Sequence, residues 1–361
     1  MKKYKRVVIK VGTKVITSKD RVLDKDRIDG LVAQISAIKQ KGTDVILVTS
    51  GAIGAGMGLL GMKKRPAELS ELQAAAAIGQ GHLMHLYGEC FKKRGSLVGQ
   101  ILLTQEDFND RQRYLNIKHT INKLLGHGAV PIINENDTVA TEEIKCGDND
   151  RISCLVSDLC QTEMLIILTD VEGLLDKEGK VISQVVDISS DILRLAGRSR
   201  CDLGTGGMAT KIECAGAVAE AGIECVIANG RVKDVLLKIM AGEDVGTTFN
   251  SKKAKFIARK RWIAYSSRPK GRIIVDDGAR EALNKDKSLL ASGILRGEGI
   301  FNLGDVVSIT DKSGKEIAKG MVNYSSAEVM KIKGLKSTKI KSVLGHKGHD
   351  EVVHKDNLVI L

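Results

Sequence analysis

Two short β-branched runs with a helical stretch between them set the architecture of this chain. Residues 6–11 (RVVIKV) read as a strand, and residues 26–41 place Ile28, Leu31, Val32, Ile35 and Ile38 at helical spacing. Residues 44–49 read as the next strand. Strand, helix, strand at this length is a βαβ unit, whose strands run parallel with a right-handed crossover. The rhythm then recurs, with helices over 69–93, 116–125, 152–159, 208–221 and 232–240. Strands over 97–103, 129–133, 164–169 and 224–228 alternate with them. The pattern predicts an α/β fold, an αβα sandwich with a mostly parallel central sheet.

After about residue 265 the rhythm changes to short segments at 272–275, 306–310 and 317–322, separated by Asp-Asp-Gly and Lys-Ser-Gly turns. They predict a small β-rich domain. The full length, 361 residues, exceeds the ~250 to 300 at which a single core stops growing. Charge divides the chain at the same place: residues 251–361 hold 23 Lys+Arg against 12 Asp+Glu, or +11 of the formal +12. We expect a nearly neutral body over 1–250, a basic linker over 251–270 that contains Arg268 and Pro269, and a tail domain over 271–361. So basic a tail suits either an RNA partner or a solvated face that confers solubility. Its aromatic residues available for stacking are Phe256, Trp262, Tyr265, Phe301 and Tyr324.

The apolar stretches are strand-sized, such as Met164 to Leu168, against the roughly 20 residues a spanning helix needs. The expectation is a cytoplasmic protein with no membrane partner. The basic start, Met1 to Arg6, lacks the apolar core of an export signal because Lys10 interrupts it. Seven cysteines without a Cys-x-x-Cys pair point to reduced thiols. His82 and His85 share a helix face without a third ligand, which favours surface positions over a metal site.

In open α/β sheets ligands bind beyond the carboxyl ends of the strands. Lys10 lies at the end of the first strand before Gly12 and Thr13, and reads either as a solvated lysine or as a phosphate-facing cation. Ser50 and Gly51 follow the second strand and open a run with Gly54, Gly56 and Gly58. The formal G-x-G-x-x-G at 56–61 starts too far from its strand for a dinucleotide fingerprint, although exposed backbone N–H groups there could meet an anion. Asn134-Glu135-Asn136-Asp137 and Gly147-Asp148-Asn149-Asp150 make a dense polar segment. Those carboxylates and amides could take an ammonium group and orient cations, or form a solvated acidic loop with Asp150 capping the next helix. The sharpest local signal is Gly204 to Lys211, a glycine turn that opens a helix with a lysine in its first turn. Backbone N–H groups, helix dipole and lysine charge converge there on an anion site. It is not a Walker A sequence, and no protein-kinase signature is present.

In order along the chain, Val-Ile-Lys-Val-Gly-Thr, Val-Thr-Ser-Gly-Ala-Ile, Ile-Asn-Glu-Asn-Asp, Lys-Cys-Gly-Asp-Asn-Asp, Leu-Thr-Asp and Gly-Thr-Gly-Gly-Met-Ala-Thr-Lys resemble the glutamate 5-kinase family of the amino-acid kinase superfamily. The tail, with GRIIVDDGA at 271–279 and Gly304-Asp305-Val306, resembles a PUA domain. The resemblance implies transfer of the ATP γ-phosphoryl group to the side-chain carboxylate of L-glutamate, the first step of proline biosynthesis, with Mg2+ accompanying ATP. It also implies a homo-oligomer and proline as a feedback inhibitor. By motif, Lys10 and Lys211 would contact phosphates, with Asp150 orienting one or both lysines. Thr169, Asp170, Thr205, Gly206, Gly207, Met208, Ala209, Thr210 and Lys211 would border the nucleotide. Ser50, Gly51, Asn134, Asp137, Asp148 and Asn149 would surround glutamate, and no protein side chain is assigned to the metal. Cys146 departs from the family, which commonly has a bulkier apolar residue there.

Overall fold

The computed structural model describes residues 4–18, 22–140, 148–195, 207–251, 260, 263, 269–346 and 348–360. The chain divides into two compact units, Met1–Lys255 and Phe256–Leu361.

In the first unit β1 (Arg6–Val11) leads through a short α1 (Thr13–Ile16) into α2 (Lys25–Gln40) and β2 (Asp44–Thr49). The Asp24 side chain caps α2 by accepting from Arg27 N, and Gly42, at φ +87°, takes the chain out of it. Next come α3 (Ala52–Leu59), α4 (Leu69–Lys92), β3 (Val98–Leu103), α5 (Arg111–Gly126) and β4 (Val130–Glu135). Then follow α6 (Asp148–Leu159), β5 (Met164–Thr169), β6 (Gln184–Val185), α7 (Ser190–Leu195), α8 (Met208–Glu220), β7 (Glu224–Asn229), α9 (Val235–Ala241) and β8 (Thr247–Phe249).

The strands form one eight-stranded sheet in the order β3-β4-β2-β1-β5-β7-β8-β6. All neighbours from β3 to β7 pair in parallel, and only β7 with β8 is antiparallel, as the sequence pattern predicts for a mostly parallel sheet. Strand alternation assigns side chains to layers. Val7, Ile9 and Val11 of β1 pack with Ile28, Leu31, Val32 and Ile35 of α2 and with Leu83 and Tyr87 of α4. Lys10, between Ile9 and Val11, therefore faces the other layer, where α6 and α8 lie. The order reverses direction at β1 and β5: the chain moves from β1 to β2 on one side and from β5 to β7 on the other. The carboxyl ends of these two strands flank the crevice where open sheets bind ligands.

The glycine run is the main departure from the sequence reading. Residues 52–59 are helical, and backbone N–H groups of the 56–61 stretch that could have met an anion are spent locally, Leu60 N on Gly56 O and Gly61 N on Gly58 O. The glycines instead permit a close helix crossing. A Cβ on Gly56 would lie 1.8 Å from Ala75 O, and one on Gly79 of α4 would lie 1.8 Å from Ala52 O. Gly51, at φ +103°, makes the tight entry from β2 into α3.

The second unit contains β9 (Gly271–Val275), α10 (Asp277–Asn284), β10 (Ile294–Gly299), β11 (Val306–Thr310), β12 (Glu316–Met321), α11 (Ser326–Ile332), α12 (Ile340–Leu344) and β13 (Leu358–Ile360). The sheet order is β10-β9-β11-β12-β13. Phe301 and Tyr324 are buried in its core beside Ile273 and Val307, so neither is available to stack on a base. Phe256, Trp262 and Tyr265 lie outside the described residues.

Gly79→Ala is expected to lower stability by about 1 to 3 kcal/mol, because the added methyl must push α3 and α4 apart. A urea denaturation midpoint equal to wild type would contradict the close crossing.

Candidate active site

Three elements distant in sequence meet at one carboxylate. Lys10 comes from central strand β1, Asp150 from the first turn of α6, and Lys211 from the first turn of α8. Lys10 Nζ lies 2.6 Å from Asp150 Oδ1, and Lys211 Nζ lies 2.9 Å from Asp150 Oδ2. All three side chains are buried, Asp150 completely. Asp150 lies inside α6, so it is not the helix cap that one sequence reading allowed; its carboxylate is spent on the two ammonium groups.

The electrostatics explain the arrangement. A lysine in the first turn of a helix opposes the helix dipole, and two buried ammonium groups repel each other. A carboxylate between them offsets both costs. Burial pushes the Lys10 ammonium down, against the opposing pull of Asp150, and Lys211 pushes it down further. Burial works to raise the Asp150 carboxyl, but Lys10 and Lys211 together outweigh it and hold the group below the ordinary carboxylate value. A Cβ on Gly12 would sit 3.8 Å from Lys10 Nζ, so the turn after β1 leaves the space beside this ammonium open.

On one flank lies a set of amides. Asn134, buried near the end of β4, accepts from Asn149 Nδ2 at 2.9 Å and donates to Gln80 Oε1 at 2.8 Å. Glu135 N donates to Asn134 Oδ1 at 2.9 Å and to Asn149 Oδ1 at 3.1 Å. Asp137 is half-buried in the turn after β4, and Ser50 and Gly51 join β2 to α3. Asp148 opens α6. On the other flank Thr169 ends β5 and is followed by Asp170, whose carboxyl accepts from Lys14 Nζ at 2.9 Å. Burial works to raise the Asp170 carboxyl, and Lys14 more than offsets this and lowers it. Gly207, Met208, Ala209 and Thr210 lead into Lys211 at the start of α8. Thr205, Gly206, Cys146 and Gly147 lie outside the described residues.

The structure therefore gathers Lys10, Asp150 and Lys211 directly, and Asn134 with Asn149 beside them. Gln80 and Lys14 are participants that sequence reasoning missed. Lys14 stands just beyond the Gly12 turn, a position that could have drawn attention, whereas Gln80 looks like any polar residue on a long helix. Five cysteines among the described residues are free and buried, and burial pushes the thiols of Cys154, Cys160 and Cys225 up, as expected of packing residues. No helix of the described residues is long and apolar enough to cross a membrane.

A mostly parallel sheet with two lysines converging on one acid near its switch point can be set beside known proteins. The amino acid kinase family profile matches residues 5–229, and the PUA domain profile matches residues 271–344. The glutamate 5-kinase of Caldanaerobacter subterraneus subsp. tengcongensis is 50% identical over 363 residues, covering 99% of this chain and 98% of that protein. The glutamate 5-kinase of a Thermoanaerobacter species is 47% identical, covering 99% and 98%, and that of Pelobacter propionicus is 44% identical, covering 100% and 98%. The chain belongs to the amino acid kinase family and, within it, to the glutamate 5-kinases. Membership implies ATP as phosphoryl donor.

Asp150→Asn leaves two buried cations without their carboxylate and is expected to cost about 3 to 5 kcal/mol, read by urea denaturation. Because the folded carboxyl lies below its ordinary 3.8, its stabilisation is full above that pH and is lost as pH falls through the folded value. The wild-type chain should therefore lose more stability than Asp150→Asn as pH is lowered below about 4. Parallel acid profiles for the two chains would contradict the pairing.

Proposed function

We propose that this chain transfers the γ-phosphoryl group of ATP to the side-chain carboxylate of L-glutamate, giving L-glutamyl 5-phosphate for proline biosynthesis. The observation that carries the reading is the pair of ammonium groups held on Asp150 beside the amide set around Asn134. A glutamate carboxylate has a reference pKa of about 4.3, so at neutral pH it is already a nucleophile and needs no general base. The difficulty is bringing an anion onto the phosphorus of another anion. In this reading Lys10 and Lys211 supply positive charge where it develops on the transferring group, and Asp150 fixes their positions in advance.

Ser50, Gly51, Asn134, Asp137, Asp148 and Asn149 would surround glutamate. Asp137 and Asp148 suit its ammonium, while the amides and backbone N–H groups suit its carboxylates. Thr169, Asp170 and residues 205–211 would border the nucleotide. Magnesium fits as an ion carried on the nucleotide phosphates, because both Asp150 oxygens are engaged at 2.6 and 2.9 Å. When bound, it would neutralise β- and γ-phosphate oxygens.

In the same reading the kinase domain spans 1–250, a basic linker 251–270 follows, and a PUA-like domain fills 271–361. The chain would work in the cytoplasm as a homo-oligomer inhibited by proline. The burial of Phe301 and Tyr324 takes these two rings out of any RNA contact of the tail.

Phosphorylation in the presence of hydroxylamine, run across glutamate, aspartate, acetylglutamate, carbamate and uridylate, tests the proposal. Hydroxamate is expected with glutamate far above the other acceptors. Turnover favouring another acceptor would contradict it.

A further inference from the structure

The polarity of the amide network is fixed by one group that can only donate. Glu135 N–H gives to Asn134 Oδ1 at 2.9 Å and Asn149 Oδ1 at 3.1 Å. Those bonds identify the oxygens of both asparagines. Asn149 Nδ2 then donates to Asn134 Oδ1, and Asn134 Nδ2 is turned toward Gln80. Facing a donor, Gln80 must present Oε1, which it does at 2.8 Å. Its Nε2, with two hydrogens, is left buried and without a hydrogen-bond partner among the described residues. Swapping the ends of the Gln80 amide would place two donors against each other, so the orphan is a consequence of the network.

Gln80 is also in the right place. Its neighbour Gly79 lies against the first turn of α3: a Cβ there would be 1.8 Å from Ala52 O and 2.4 Å from Gly56 N. Gln80 therefore lies between the start of α3, just after Ser50 and Gly51, and the end of β4. The same stripe of α4 follows this edge of the sheet at seven-residue spacing. Gln73 Nε2 donates to Ala140 O at 3.2 Å, and Tyr87 Oη meets Thr49 Oγ1 at 3.1 Å. Gln80 is 9% exposed, and a buried donor without an acceptor is unfavourable until a ligand supplies one.

We propose that Gln80 Nε2 donates a hydrogen bond to a carboxylate oxygen of the bound acidic amino acid, making Gln80 a specificity-determining residue of the acceptor pocket. This rests on the reading of Asn134, Asp137 and Asn149 as that pocket. The chemistry of the ligand leaves one partner: the ammonium of an amino acid is a donor, and its acceptors are carboxylate oxygens. Gln80 would thereby select for the anion at that end of the substrate.

Gln80→Glu separates direct contact from an effect through Asn134, because it keeps an oxygen for Asn134 Nδ2 and replaces the free amide nitrogen with a second oxygen. The wild-type chain is assayed first for glutamyl hydroxamate. The KM for glutamate and the KM for ATP are then measured for wild type, Gln80→Glu and Gln80→Met. The expected result is a KM for glutamate raised roughly 10- to 100-fold in both variants, with the KM for ATP within about twofold. A Gln80→Glu chain with wild-type KM for glutamate would overturn the proposal, as would equal rises in both constants. Should Gln80→Glu fail to fold, an unchanged KM for glutamate in Gln80→Met overturns it equally. A wild-type chain that forms no glutamyl hydroxamate would remove the underlying functional reading instead.

Discussion

Asp150 holds the ammonium groups of Lys10 and Lys211 within hydrogen-bonding reach of one buried carboxyl group, and the rest of the kinase unit is arranged to make that meeting possible. Lys10 needs a central strand whose alternation turns one side chain toward the α6 and α8 layer. Asp150 and Lys211 need two helices that begin on the same edge of the sheet. Each lysine alone would be a costly burial. Held together by an acid they form a cationic site positioned during folding, which under the proposed function would leave no reorganisation for the reaction.

The surrounding elements follow from this requirement. The strand order reverses between β1 and β5, the position at which open sheets bind ligands, and Lys10 lies next to the last residue of β1. The glycine-mediated crossing of α3 and α4 brings the polar stripe of α4, through Gln73, Gln80 and Tyr87, against the ends of β2 and β4. One flank of the lysines is thus furnished with amides fixed in polarity by the Glu135 N–H, and the other with Thr169, Asp170 and the start of α8. In the proposed function the first flank would take the acceptor and the second the nucleotide, and the two differ in chemistry because different strand ends supply them.

Much of this was legible in the chain. Strands at 6–11, 44–49 and 164–169 coincide with the sequence reading, because a buried parallel strand is a near-continuous β-branched run with sharp ends. Helix α3 was not legible: glycine has poor helix propensity, and the helix exists because Gly56 and Gly79 let two backbones touch. Helix α5 begins at Arg111, earlier than its apolar periodicity suggested, since its first turn is polar and rests on the Asp110 cap. The short strands β6 and β8 carry too few residues to show a period. In the site, Lys10, Lys211 and Asp150 could be singled out from their glycine turns and acidic context. That one carboxylate serves both lysines is a tertiary fact. Gln80 was hidden because burial of a single amide leaves no trace in sequence spacing.

The most direct test is a double-mutant cycle on turnover with Lys10→Ala, Lys211→Ala and the double variant. If both lysines act as a unit on one transferring phosphoryl group, each single change should lower turnover roughly 100- to 1,000-fold, and the double variant should be little slower than the worse single. Effects that multiply in the double variant, or a single variant with wild-type turnover, would contradict the account.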